Sequence, residues 1–230
     1  MHTINKHRFI VFKNCCHLGI PFRGLLHDLS KYSRKEFWPS TKYYRGVGSP
    51  IFNERKETTY SDIWNHHTVR NKHHFEYWLD VCNNYILIKP MPFKYALEYV
   101  ADVISASKTY SGKSFINDMP LNYYLGRKHM YLMHSATKEF VGQLFYEFSQ
   151  NGFKNLKKKY TKKLYQDCIN KQPKVEIFNI LNSENKIELT TEIPDFMKKN
   201  WVLQGFISLN TQLFLNLQFV DFYRFDFLIC

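Results

Sequence analysis

Residues 93–110 read as one helix that is apolar nearly all round, with Gly112 as its stop. A helix with no polar face must be covered on every side, which calls for further helices packed about it. The same segment contains Asp102, within VADVISAS (residues 100–107). A carboxylate in such surroundings is costly unless it is paired, hydrogen-bonded or bound to a metal. The first expectation is therefore an all-α bundle built on a buried helix that carries a charge into the core.

The rest of the first 165 residues supplies helices for that bundle. Residues 3–18 place Ile4, His7, Val11 and Asn14 or Cys15 on one stripe, and Gly19, Ile20 and Pro21 stop the helix. Residues 23–31 read as a second helix. Ser33 and Glu36 have capping-box spacing. Residues 39–57, with Gly46, Gly48 and Pro50, read as irregular. Ser61 is a candidate N-cap for a helix running to about residue 82. Another helix starts at His129 or Ser135 and ends before Asn151 and Gly152. Lys154 to Lys163 reads as a solvated basic face. Beyond 165 the pattern changes. Residues 175–189 hold short apolar runs with β-branched residues, and 213–219 alternate as a strand would. The fold class expected is all-α: a helical domain over 1–165 and a C-terminal appendage, 166–230, with strand-like patterning.

Composition bounds the function. Of 230 residues, 44% are apolar and 17% aromatic, enough for a core and against a disordered chain. No run of 18 uncharged apolar residues exists, so no membrane-spanning helix is expected. Residues 1–13 lack the apolar stretch and cleavage site of a secretory signal. Five cysteines without CxxC spacing suit reduced thiols in the cytoplasm. Residues 1–163 carry 26 Lys plus Arg against 12 Asp plus Glu, while 164–230 carry 6 against 8. All ten histidines precede residue 135. The chemistry is thus expected in the first part, with an anionic partner such as a nucleotide or nucleic acid.

The candidate ligands cluster in three places. His27 and Asp28 are adjacent within HDLSK (residues 27–31), and both side chains can reach one ion at a helix end or kink. His7 lies upstream on an apolar stripe, and Asp102 downstream. Between them HHTVRNKHHFEYW (residues 66–78) holds His66, His67, His73, His74, Arg70, Lys72 and Glu76. On a continuous helix the seven-residue spacing separates His66 from His73, and His67 from His74, by about 10 Å. That spacing serves two neighbouring metals, or one metal and a substrate phosphate. Each residue also has an ordinary reading: His7 as a packed core histidine, Asp102 as half of a buried salt bridge, the clustered histidines and Arg70 and Lys72 as a solvated face.

The order His, HDxxK, His-rich segment, Asp resembles the HD superfamily of metal-dependent phosphohydrolases, in which such residues bind metal within a helical bundle. HDLSK is similar to the HDIGK string of its cyclic-dinucleotide phosphodiesterases. A closer resemblance is to an uncharacterised bacterial and phage family of unknown function. That family carries LGIPxRGLxHDLSKxSxxEF, HHxxRNKHHxEYW and a PMPxKYxxEmxxDWxxAS-like helix. The chain has LGIPFRGLLHDLSKYSRKEF, HHTVRNKHHFEYW and PMPFKYALEYVADVISAS, so the likeness covers about residues 1–165.

The superfamily resemblance implies His7, His27, Asp28 and Asp102 as first ligands. A second metal would share Asp28 with His66 or His67 and with His73 or His74. One or two divalent ions (Mn, Fe, Co, Zn or Mg) would acidify a water as nucleophile. Lys31 would neutralise a phosphate or protonate the leaving oxygen. Arg70 and Lys72 would clamp phosphate oxygens, and Glu76 would act as base or orient a histidine. The expected activity is hydrolysis of a nucleotide or other small phosphoester, with a homodimer open as an assembly. Two other classes remain: a di-iron oxygenase on the same scaffold, and a basic nucleic-acid-binding module with a structural or vestigial metal site.

Overall fold

The computed structural model describes residues 2–46 and 48–180, with the backbone of 187–190. The strand-like run at 213–219 and the apolar end of the chain lie outside the described residues.

Helix α1 (His2–His17) buries His7, Val11, Asn14 and Cys15, the stripe that its spacing predicts. The chain then turns at Gly19 into α2 (Pro21–Leu26), which packs back on α1. The second helix does not run to Lys31 as expected. It stops at Leu26, His27 is extended, and Asp28 takes the left-handed conformation (φ 52°) before a 3₁₀ turn, Leu29–Tyr32. Arg8 supports this break. Its guanidinium donates to the carbonyls of Leu25 (2.9 Å) and His27 (2.8 Å), so the end of α2 is satisfied from α1.

The region expected to be irregular, 39–57, is largely helical. Helix α3 (Arg34–Tyr43) carries Pro39 within it, and α4 (Pro50–Thr58) follows. Pro50 opens α4, where a missing N–H is harmless, and Ser49 caps it by accepting from the Ile51 amide. The helix expected from Ser61 to about 82 does start at that cap, but α5 (Asp62–Thr68) is short. Asn71 Nδ2 donates to the His67 carbonyl (2.8 Å) and closes it. The chain then makes a turn and a 3₁₀ segment (Phe75–Trp78), followed by β1 (Leu79–Cys82) and β2 (Tyr85–Ile88). Asn83, left-handed at φ 53°, makes the two-residue hairpin turn.

Helix α6 (Phe93–Ser111) is buried at every position from Ala96 to Ser107. It lies against α1, α2, α7 (Met119–Arg127) and α8 (Ser135–Asn151). Phe140, Leu144, Phe145 and Phe148 of α8 complete the main core. Helix α9 (Lys158–Asn170) packs on α8 through Thr161 and Cys168 and leaves Lys157 to Lys159 exposed, as the basic stretch suggested.

The strand patterning at 175–189 is borne out by β3 (Glu176–Ile180) and β4 (Ile187–Thr190). The four strands form one antiparallel sheet in sequence order. β3 pairs with β2, so the expectation that the first 165 residues are wholly helical is corrected: they contribute half of this sheet. Glu176 Oε1 accepts from the Ser135 amide at the start of α8, and His134 Nδ1 accepts from the Ala136 amide as the N-cap. The protein is thus mostly helical with a small antiparallel sheet. Among the described residues no helix is long and apolar enough to cross a membrane.

One close approach makes a test of the α1–α2 packing. A Cβ on Gly24 would sit 2.7 Å from Cys15 Cβ and 2.8 Å from Phe12 Cα. Helix propensity alone makes Gly→Ala favourable by about 0.5–1 kcal/mol. Here the crowding reverses the sign, and Gly24→Ala is expected to lose about 1–3 kcal/mol in urea unfolding.

Candidate metal centre

Four parts of the chain bring side chains together beside two carboxylates of α6. Glu98 and Asp102 lie one helical turn apart, at 0% and 4% exposure. His7 enters from α1, with Nε2 3.0 Å from Asp102 Oδ1. His27 and Asp28 enter from the break after α2. The extended His27 and left-handed Asp28 let both side chains face inward, which a continuing helix would prevent by its 100° step. His67 comes from the last turn of α5. His73 and His74 come from the turn that follows it.

Asp28 is the hub. Its Oδ2 lies 3.1 Å from His27 Nε2, 4.0 Å from His7 Nε2 and 2.8 Å from Lys31 Nζ. Its Oδ1 lies 3.3 Å from His67 Nε2 and 3.5 Å from His73 Nε2. The two oxygens therefore face two ligand groups. One is His7, His27 and Asp28; the other is Asp28, His67, His73 and His74. A third, His27, His73 and Asp102, joins them. Within each group the donor atoms lie within 4.8 Å of one another, and all these residues are buried.

The electrostatics fit a cation. Burial alone would raise Asp28 and Asp102, but neighbouring His27 and, for Asp28, Lys31 outweigh it and hold both well below the usual carboxylate range. Burial would depress His27 and His67. The charge of Asp28 outweighs it, helped by Asp102 at His27, and raises both. His7 and His74 are lowered, first by burial, and His74 also by His73 and His67. A divalent ion held among these groups would compete with protons for the imidazoles, so its binding would weaken as pH falls. The decisive observation is that His7 Nε2, His27 Nε2, Asp28 Oδ1, His73 Nε2 and His74 Nε2 are buried without a directed hydrogen bond. Groups so buried normally have partners. These converge on one another, and a metal ion would satisfy them together.

Two further carboxylates hold the imidazoles in place. Glu98 Oε1 lies 3.2 Å from His27 Nδ1 and 3.4 Å from His73 Nδ1, while Arg23 holds Oε2 at 2.7 and 2.8 Å. Burial would raise Glu98, yet the hydrogen bonds of His27 and His73 bring it to about 2. Glu36 accepts from His66 Nδ1 (2.7 Å) and His67 Nδ1 (2.8 Å). With Nδ1 donating to a carboxylate, Nε2 of His27 and His67 presents its lone pair inward.

The family model that matches this chain covers residues 1–147 and describes a family of unknown function, DUF5662. The chain belongs to the DUF5662 family. No curated protein and no solved structure matches it. Every residue of the candidate ligand groups lies within the matched span.

Of the residues singled out from sequence, His7, His27, Asp28, His67, His73, His74 and Asp102 are brought together, with Lys31 on Asp28. His66 is not among the ligand groups; its ring is held by Glu36. The seven-residue facing argument fails because α5 ends at Thr68, and the turn after it folds His73 and His74 back beside His67. Arg70 and Lys72 are exposed, and Lys72 Nζ lies over the Tyr77 ring at 5.2 Å. Glu76 is outside the ligand groups; burial pushes its carboxyl up to about 7, and Oε2 has no directed partner. Sequence reasoning missed Glu98, although its spacing of four from Asp102 on an apolar helix was a readable signal. It misassigned Glu36 to a capping box; Ser33 makes no side-chain cap, and the carboxylate serves His66 and His67 instead.

Glu98→Gln keeps the shape but removes the charge that orients two imidazoles. It is expected to weaken binding of added metal about 10–100-fold, read by competition titration with circular dichroism confirming the fold.

Proposed function

We propose that this protein is a divalent-metal-dependent phosphohydrolase acting in the cytoplasm on a nucleotide or another small phosphoester, as the HD-superfamily resemblance implies. The observation that carries the reading is the set of converging imidazole and carboxylate donors around Asp28, set beside Lys31 and a pocket. That pocket has a volume of about 200 Å³, and His7, Lys31, Glu36 and His67 all line it. The donor set and the adjoining space therefore share a wall.

The residues fit one or two ions. His7, His27, Asp28 and Asp102 would hold one; Asp28, His67, His73 and His74 would hold the other, with Asp28 common to both. Five imidazoles among the donors favour Mn, Fe, Co or Zn over Mg, which prefers oxygen. Such an ion supplies positive charge for a phosphoryl oxygen and makes a water more acidic. The chain's own residues do the rest. Glu98 and Glu36 hold the imidazole rings in one tautomer. Lys31, anchored on Asp28, places an ammonium at the pocket wall, where it neutralises the phosphoryl group. Arg70 and Lys72 stand outside the lining, so the clamping role falls to Lys31.

Elemental analysis of the purified protein tests the site. About one or two equivalents of a transition metal are expected, lost in Asp28→Ala. Manganese, cobalt or zinc with phosphoester hydrolysis above the Asp28→Ala background supports the proposal. Bound iron with an optical signal and no hydrolysis would move the assignment to oxygen chemistry. Absence of metal even after reloading would sink both.

A further inference from the structure

The pocket beside the centre has a composition that speaks to the substrate, if the phosphohydrolase reading holds. Its walls come from the first turn of α1, from α3, from the start of α4 and from α5, with Ile4, Phe37, Tyr44, Ile51 and Ile63 among them. Among the described residues Lys31 is the only Lys or Arg side chain that lines it. At about 200 Å³ it is smaller than the roughly 300–1,000 Å³ of sites for drug-sized ligands.

Charge points the same way. Asp28, Asp102, Glu98 and Glu36 are four buried carboxylates; among the described residues the Lys and Arg side chains paired with them are Lys31 and Arg23, the other partners being imidazoles. With the imidazoles neutral as ligands, two divalent ions would turn that deficit into an excess of two positive charges. One phosphate monoester dianion balances it. A triphosphate would bring further negative charge into a lining whose described residues offer no Lys or Arg besides Lys31, and burying unpaired charge is costly. A phosphodiester carries a single negative charge and would leave part of that excess unbalanced.

We infer that the substrate is a small phosphate monoester whose alcohol is apolar or aromatic and about the size of one ring, the alcohol seated against Phe37, Ile51 and Ile63 and the phosphate against Lys31. Water adds at phosphorus while the bond from phosphorus to the alcohol oxygen breaks. One water proton ends on that oxygen. The products are the free alcohol and orthophosphate, with no change of oxidation state.

The test compares p-nitrophenyl phosphate, bis(p-nitrophenyl) phosphate and ATP on the full chain loaded with manganese. The monoester is expected to have a kcat/KM at least about tenfold above either competitor. Thr41, exposed on the pocket rim, offers a site to fill the pocket without touching the centre. Thr41→Trp is expected to raise KM for the monoester about tenfold while bound manganese stays unchanged. Faster turnover of the diester or of ATP would overturn the inference and leave the phosphohydrolase reading standing. So would an unchanged KM in Thr41→Trp. Hydrolysis of none of the three by manganese-loaded protein would overturn the phosphohydrolase reading itself, and the inference with it.

Discussion

Two carboxylates on a helix that water barely reaches impose the main constraint on this molecule. Glu98 and Asp102 sit within the fully buried stretch of α6, and their ionised forms survive there only with partners. Arg23 answers Glu98 from α2, His7 answers Asp102 from α1, and His27 and His73 answer both from two further segments. The packing of α1 and α2 against α6 therefore does two things at once: it covers apolar surface and delivers imidazoles to charge. Asn14 of the same α1 stripe ties to Ser105 of α6 at 2.7 Å, holding the two helices in register beside the site.

That demand explains the irregular backbone around the centre. A left-handed Asp28 costs of order 1–3 kcal/mol, and Asp is among the few residues that take this conformation readily. What the break secures is two adjacent side chains pointing the same way, with the freed carbonyls taken up by Arg8. The short α5 and the turn after it do the same for His67, His73 and His74. Trp64 packs edge-on to His74, at 4.8 Å between ring centroids, and closes the outer side of that turn. Donors held by packing and by carboxylates behind them are preorganised, the condition a tight metal site requires.

Much of this was legible from the chain alone. The His7 stripe, the all-round burial of α6 and the HDLSK pair each rest on local spacing, and the structure places them as expected. Ser61 as a cap and the strands near 175–189 were legible for the same reason. Glu98 was equally local and was overlooked because attention went to Asp102 alone. The length of α5, the helicity of 39–43 and 50–57 and the β1–β2 hairpin were misread. Prolines and glycines were taken as breakers where Pro50 starts a helix and where Asn71, an ordinary polar residue, ends one.

The sequence by itself determined which segments must be buried and which residues carry donors, because apolar periodicity and residue chemistry are properties of neighbours within a turn or two. Only the tertiary structure decided how those donors meet. Glu36 pairs with His66 and His67 across thirty and thirty-one residues, Glu98 with His27 across seventy-one, and β2 with β3 across about ninety. Such partnerships are chosen by which buried charges and unpaired strand edges lie close enough to satisfy one another once the core has closed, and no local pattern encodes that choice.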